Sequence, residues 1–169
     1  KLAMLAGKSV DQVREIFFQP RFQDQYERGK ISSQEFLNSV RRLIGLENRG
    51  LTPVSDTELA LIWNDIFTEN REVTRMIEEL SGHFRLFLIS NTDPIHFKYI
   101  VETFPVLRLF ESWVLSYEVG VCKPEKGIYH TALSRAGVRA DRSVYIDDVE
   151  EYIQAAEKLG IRGIHFTSS

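Results

Sequence analysis

The sequence predicts an α/β protein in which a parallel sheet forms the core and a small helical domain caps it. Up to about residue 69 the chain carries only helix signals, whereas from residue 70 onward short apolar runs alternate with amphipathic helices. Strands that alternate with helices pair in parallel and are joined by right-handed crossovers. We therefore expect a helical cap over residues 1–69 and an α/β core over residues 70–169.

The helical part is predicted from three capping boxes. In each box a serine stands three residues before Gln or Glu, at Ser9–Gln12, Ser32–Glu35 and Ser55–Glu58. The serine hydroxyl and the later side chain can each accept a hydrogen bond from the other residue's free backbone N–H, so this spacing marks a helix start. Ile31 and Phe36 occupy the positions of a hydrophobic staple around the second box. The sequence thus predicts three helix starts within the cap.

The sheet is predicted from four apolar runs, Phe84–Ile89, Trp113–Leu115, Val144–Ile146 and Gly163–Phe166. These runs are short and nearly continuous in apolar residues, as is typical of strands that are buried on both faces. Helical stretches separate them, and the first of these has Asp93 as a cap followed by proline at the first helical position. This order predicts a parallel sheet with a helix at each crossover.

Composition limits the class of protein. The chain has 169 residues, of which 43% are apolar and 27% charged, so we exclude disordered and fibrous folds. No apolar run approaches the roughly 18 residues that span a bilayer, and the formal net charge of -3 argues against nucleic acid as a partner. The single cysteine, Cys122, fits a reducing compartment. We expect a cytoplasmic protein that binds neither membrane nor nucleic acid; the sequence predicts no oligomeric state.

Polar residues follow three of the four predicted strands. Ser90 and Asn91 end the first strand, Lys123 lies in the loop after the second, and Asp147 and Asp148 end the third. Each of these, taken alone, has an ordinary structural interpretation as a turn, a solvated loop or a helix cap. In parallel sheets, however, ligands bind outside the carboxyl ends of the strands. A hydroxyl, a lysine and two carboxylates that can hold Mg²⁺ together indicate a site for a phosphoryl group.

Five segments of the chain resemble the haloacid dehalogenase-like hydrolases. Leu86–Thr92, Lys123–Pro124 and Val144–Asp148 are similar to motifs II, III and IV of that family in content and order. Leu115–Gly120 and Ala155–Ile161 are similar to the branch whose helical cap is inserted just after motif I. The resemblance implies a Rossmann-like core with a cap, and a phosphatase that acts on a sugar phosphate or another small phosphate ester.

The resemblance also implies a role for each site residue. Ser90 and Lys123 would be catalytic, and the substrate phosphoryl group would contact Ser90, the Asn91 backbone N–H and Lys123. Asp148, and with it Asp147, would hold Mg²⁺ directly or through water. The acid pair argues against a dehalogenase, since dehalogenases of this family displace halide without a metal.

The sequence departs from the family pattern in two respects. No Asp-x-Asp motif I occurs in residues 1–169, so the nucleophilic aspartate is not among them. We expect this aspartate upstream of Lys1; the alternative is a non-catalytic protein of the same fold that acts in binding or as a scaffold. Tyr152 stands where relatives with an Asp-Asp pair carry Asn or Asp, which puts the outer shell of the metal in question.

Overall fold

The computed structural model describes residues 2–9, 11–12, 20–45 and 54–167. Within these ranges the helices of the first third precede a region in which strands and helices alternate, and all paired strands are parallel. The predicted α/β fold class is therefore confirmed. No helix within the described ranges is long and apolar enough to cross a bilayer.

Four α-helices precede residue 70 in the described part of the chain: α1 (Leu2–Ala6), α2 (Pro20–Glu27), α3 (Ser33–Leu43) and α4 (Asp56–Trp63). The capping boxes predicted at Ser32 and Ser55 are both formed, with each serine and the glutamate three residues later bonding reciprocally. Ser9 and Gln12 make the same exchange, at 2.9 and 3.1 Å. Most of the helix predicted after Ser9 lies outside the described residues. Local capping thus sets the helix starts, as the sequence indicates.

These helices share a small apolar core built around Phe36. Its ring stacks on Tyr26 at 4.1 Å between centroids and on Phe22 at 5.1 Å. The fully or nearly fully buried members of the cluster are Ala6, Tyr26, Phe36, Leu37, Val40, Ile44 and Leu59. Ile31, one half of the predicted staple, packs against this cluster. Burial of large aromatic side chains supplies most of the free energy that holds helices of this length together.

The remaining residues form the α/β region. Its elements are α5 (Arg71–Ser81), β1 (Phe87–Ser90), α6 (Pro94–Thr103), β2 (Ser112–Leu115), α7 (Ser116–Val119), α8 (Lys126–Ala136), β3 (Val144–Asp147), α9 (Glu150–Glu157) and β4 (Arg162–His165), with short 3₁₀ helices at Pro105–Leu109 and Ala140–Arg142. β1 begins three residues later than the apolar run predicts. The reason is that the Phe84 N–H still donates to the Leu80 carbonyl at 2.8 Å, so Phe84 lies in the turn that follows α5.

The four strands form two parallel pairs. β1 pairs with β2 in the register Ser90 to Leu115, and β3 pairs with β4 in the register Asp147 to His165. Among the described residues, β1 and β3 each have one edge without a strand partner. A single apolar cluster nevertheless spans both pairs through α8 and α9, and it includes Val114, Ile128, Tyr129, Tyr145 and Ala156. The two pairs therefore belong to one core.

Candidate active site

The carboxyl ends of β1 and β3 meet at Lys123. Asn91, directly after β1, donates from Nδ2 to the Lys123 carbonyl oxygen at 3.0 Å and accepts from the Lys123 N–H at 2.7 Å. Asp147, the last residue of β3, accepts from Lys123 Nζ at 2.7 Å. The structure thus brings together three of the five residues that the sequence proposes for the site, although up to 56 positions separate them (147 minus 91). Parallel pairing explains this, because it places the carboxyl ends on one edge.

Asp147 is held by three hydrogen bonds. Its Oδ2 accepts from Lys123 Nζ and from the Tyr145 hydroxyl, and its Oδ1 accepts from the Val149 N–H at 2.9 Å. Burial alone would raise the pKa of the Asp147 carboxyl, but the bonds from Lys123 and Tyr145 outweigh it and lower the pKa below its usual range. Asp147 therefore stays ionised beside the Lys123 ammonium.

Asp148 is placed differently from Asp147. Its side chain is exposed, whereas the Asp147 and Lys123 side chains retain only 9% and 10% of their exposure. Its backbone carbonyl oxygen lies 3.0 Å from His165 Nε2, next to the end of β4. The repulsion expected between adjacent carboxylates is thus relieved by turning one inward to Lys123 and the other outward to solvent.

The carboxylates at this edge meet the requirements of a Mg²⁺ site only in part. A free carboxylate such as that of Asp148 is a suitable ligand for Mg²⁺. Asp147, however, already accepts three hydrogen bonds, and in the described part of the chain no group of three or more His, Cys, Asp or Glu side chains could hold a metal. These residues alone therefore do not complete a magnesium site, and further ligands would have to come from elsewhere.

Ser90 and Ser116 lie at the ends of the paired strands. Ser90 pairs in register with Leu115, and its hydroxyl is within 3.4 Å of the Asn91 carbonyl oxygen, a long contact. The fully buried Ser116 hydroxyl accepts from the Thr92 N–H at 2.9 Å and donates to the Thr92 carbonyl oxygen at 3.0 Å. Ser116 therefore ties the end of β1 to the start of α7. The sequence marked this residue only as part of Leu115–Gly120, a segment similar to the family.

Two contacts join the end of α2 to α7 and to the loop after it, which carries Lys123. Arg28 Nη2 lies 2.6 Å from Glu125 Oε1, two residues beyond Lys123. Gly29 has a φ of +64°, and a Cβ at this position would collide with the Tyr117 carbonyl oxygen. Only glycine adopts this conformation at so close an approach without strain. The end of α2 is therefore docked on the loop that leads into the candidate site.

A third contact joins α4 to the start of α6. Trp63 Nε1 donates to Asp93 Oδ2 at 3.2 Å, and the Trp63 ring stacks on the His96 ring at 5.1 Å. His96 Nδ1 lies 3.0 Å from the same carboxylate, and its Nε2 lies 3.2 Å from the Trp63 carbonyl oxygen. Trp63 and His96 thus join the end of α4 to the start of α6, which follows β1.

Comparison with known proteins identifies the class of protein that this fold and site define. The family model described as haloacid dehalogenase-like hydrolase matches residues 5–160. The chain therefore belongs to the haloacid dehalogenase-like hydrolases, and the resemblance inferred from the motifs is confirmed.

Individual relatives include phosphatases. The chain is 24% identical over 147 residues to a sesquiterpene phosphatase of Aspergillus oryzae, covering 86% of this chain and 72% of that protein. It is 27% identical over 141 residues to a D-ribitol-5-phosphate phosphatase of Bacteroides thetaiotaomicron, covering 79% of this chain and 66% of that protein. The fold is also similar to a crystal structure of a family enzyme from the same bacterium in complex with magnesium and inorganic phosphate. That comparison gives a TM-score of 0.75 and 28% identity, and covers 92% of this chain and 83% of the other.

Proposed function

We propose that the complete protein is a Mg²⁺-dependent phosphatase of small phosphate monoesters. The observation that carries this proposal is the constellation of Asn91, Lys123 and Asp147 at the carboxyl edge, with Ser90 beside it. A buried ammonium can stabilise the charge on a transferring phosphoryl group. The phosphatases among the relatives, and the complex of a similar enzyme with magnesium and phosphate, support the same chemistry.

In the proposed reaction the chain's own residues bind and orient the phosphoryl group. The Ser90 hydroxyl and the Asn91 N–H donate to phosphoryl oxygens, and Lys123 offsets their charge while Asp147 holds its ammonium in place. Asp148, and with it Asp147, would hold Mg²⁺ directly or through water, and the ion would supply further positive charge. A carboxylate oxygen outside residues 1–169 attacks phosphorus, the bond to the ester oxygen breaks, and the leaving alcohol takes a proton from a second acid. Water then hydrolyses the aspartyl-phosphate to free the carboxylate and inorganic phosphate.

The unpaired strand edges support a nucleophile on an additional strand. The carboxyl ends of β1 and β3 both contact Lys123, and each strand has an edge without a partner among the described residues. A further parallel strand that paired with both edges would end next to Lys123. A carboxylate in that place would face the same phosphoryl group as Ser90 and Lys123.

The test is hydrolysis by the complete protein of a panel of polyol, sugar and prenyl phosphates, with Mg²⁺ and with EDTA. We expect phosphate release from at least one class, only when Mg²⁺ is present, and no release by residues 1–169 alone. Turnover by residues 1–169 would contradict the assignment of the nucleophile. Phosphate binding without hydrolysis of any ester by the complete protein would favour the alternative, a non-catalytic binding or scaffold protein.

A further inference from the structure

The ring of Tyr152 lies against the Lys123 ammonium. Tyr152 is on α9, and Lys123 Nζ lies 4.8 Å from the centroid of its ring. The Tyr145 ring is farther away, at 5.9 Å from the same atom, and the Tyr145 hydroxyl is committed to Asp147. An ammonium over an aromatic face is attracted by the ring quadrupole, more strongly where water is excluded. With only 10% of its side chain exposed, Lys123 is in such a place.

Tyr152 is itself fixed at both ends. Its hydroxyl oxygen lies 3.4 Å from Asn91 Nδ2, the same amide group that bonds the Lys123 carbonyl oxygen. Its backbone carbonyl accepts from the Tyr129 hydroxyl at 2.9 Å, and Tyr129 is fully buried in the core. The Tyr152 ring is therefore held in place beside the Lys123 ammonium.

The flexibility of the lysine side chain explains why a second contact is needed to orient its ammonium. Its ammonium sits on a flexible four-carbon stem, so a single ion pair fixes its distance from a partner but not its direction. The bond to Asp147 provides the distance, and the Tyr152 ring restricts the direction. The Asn or Asp that the resemblance leads us to expect at this position has no aromatic face to offer.

We propose that Tyr152 is a positioning residue for Lys123. Its ring holds the Lys123 ammonium on the line between Asp147 and the phosphoryl site. Its effect on turnover rests on the proposed phosphatase function, whereas its contact with Lys123 does not. Tyr152 acts through Lys123 and has no contact with substrate in this proposal. The expected consequence of removing the ring is a loss in kcat with little change in KM. A misdirected ammonium loses more of its stabilisation of the transition state than of the bound substrate.

The experiment compares four variants of the complete protein. Tyr152→Phe keeps the ring, Tyr152→Leu and Tyr152→Met remove it at different volumes, and Tyr99→Leu removes an aromatic ring that packs on Phe67 and Phe104 instead. The first measurement is the NMR shift of the Lys123 side-chain ε protons, assigned with Lys123→Arg. We expect these signals to move downfield when the Tyr152 ring is removed, and to stay unchanged in Tyr152→Phe and Tyr99→Leu.

The second measurement is steady-state hydrolysis. We expect kcat to fall at least about tenfold in the Leu and Met variants, with KM within about twofold of wild type, and Tyr152→Phe to restore most of kcat. Unmoved Lys123 signals or unchanged kcat in the folded ring-deletion variants would overturn the proposal. So would a Tyr152→Phe variant as slow as Tyr152→Leu, because the contact with Asn91 would then be the cause. Absence of hydrolysis by wild type would refute the phosphatase function, and the NMR shifts would still decide whether Tyr152 holds Lys123.

Discussion

The Lys123 ammonium and the Asp147 carboxylate lie 2.7 Å apart, and each side chain is at least nine-tenths buried. A buried pair of this kind is expensive to break on one side only, because the remaining charge is left without a partner in a medium that solvates it poorly. The pair therefore links the loop after α7 to the end of β3. Loss of either side chain should therefore affect both the stability of the fold and the proposed catalysis.

Replacing Lys123 by alanine removes both the charge and the link. We expect turnover of the complete protein to fall at least about tenfold. Leaving Asp147 unpaired should also lower the free energy of unfolding by about 3–5 kcal/mol. Kinetics and urea unfolding check the two effects, with Lys126→Ala, an exposed lysine three residues away, as the control. A Lys123→Ala variant as active and stable as Lys126→Ala would contradict the assignment.

Replacing Asp148 by asparagine tests its proposed role as a metal ligand. Since the Asp148 side chain is exposed and Asp147 is engaged by Lys123, we expect Asp148→Asn to raise the Mg²⁺ concentration needed for half-maximal activity. The thermal stability should change little. A Mg²⁺ titration of activity checks this, and Asp141→Asn, which removes an exposed carboxylate paired with Arg139, is the matched control. An unchanged Mg²⁺ requirement would exclude Asp148 as a ligand.

Glu27 predicts a pH dependence of stability. Burial raises the pKa of its carboxyl, and the hydrogen bond from Gln23 offsets only part of this. A carboxyl whose pKa is raised by folding binds its proton more tightly in the native state. Ionisation of Glu27 therefore lowers the free energy of unfolding. This loss is absent below the unfolded pKa of about 4.3, grows as the pH rises from there to the raised native pKa, and is constant above it. We expect Glu27→Gln to be more stable than wild type at pH 7, with the difference vanishing below about pH 4.

Urea unfolding of both proteins from pH 3.5 to 7.5 measures that difference. Taking the difference cancels the contribution of every other titrating group that the substitution leaves unaffected. A gap between Glu27→Gln and wild type that stays constant across the range would show that the substitution acts through packing and not through the charge.

Gly29 and Gly45 form a matched pair for testing how the end of α2 packs on Tyr117. Both have positive φ, +64° and +73°, but a Cβ at Gly45 would meet no heavy atom within 4 Å. Gly45→Ala should cost about 1–2 kcal/mol for the left-handed conformation alone. Gly29→Ala should cost about 1–3 kcal/mol more, because its Cβ would collide with the Tyr117 carbonyl. Equal losses in denaturant unfolding would mean that the end of α2 does not rest on Tyr117 in solution.

The positions of the site residues could be predicted because they depend on local signals. Ser90, Asn91 and Asp147 lie at the ends of apolar runs, and Lys123 lies in the loop that follows β2 and α7. Parallel pairing brings the ends of such runs to one edge of a sheet. The capping boxes at Ser32 and Ser55 could be predicted for a similar reason, since both partners lie within four residues of each other.

The side chains that surround the site could not be predicted in this way. Tyr152 reaches Asn91 across 61 positions, Trp63 reaches Asp93 across 30, and Ser116 reaches Thr92 across 24. Contacts at such separations depend on how helices pack on the strands, which neither periodicity nor capping encodes. The sequence marked Tyr152 only as a departure from the family pattern, and its contact with Lys123 became visible only in three dimensions.

The unpaired edges of β1 and β3 have a consequence for the solution behaviour of residues 1–169. Each edge presents backbone N–H and C=O groups that have no strand partner among the described residues. Exposed edges are templates for strand addition by other chains. Residues 1–169 on their own should therefore self-associate as their concentration rises. A synthetic peptide that pairs with these edges should suppress that association, so residues 1–169 and such a peptide would form a complementation pair.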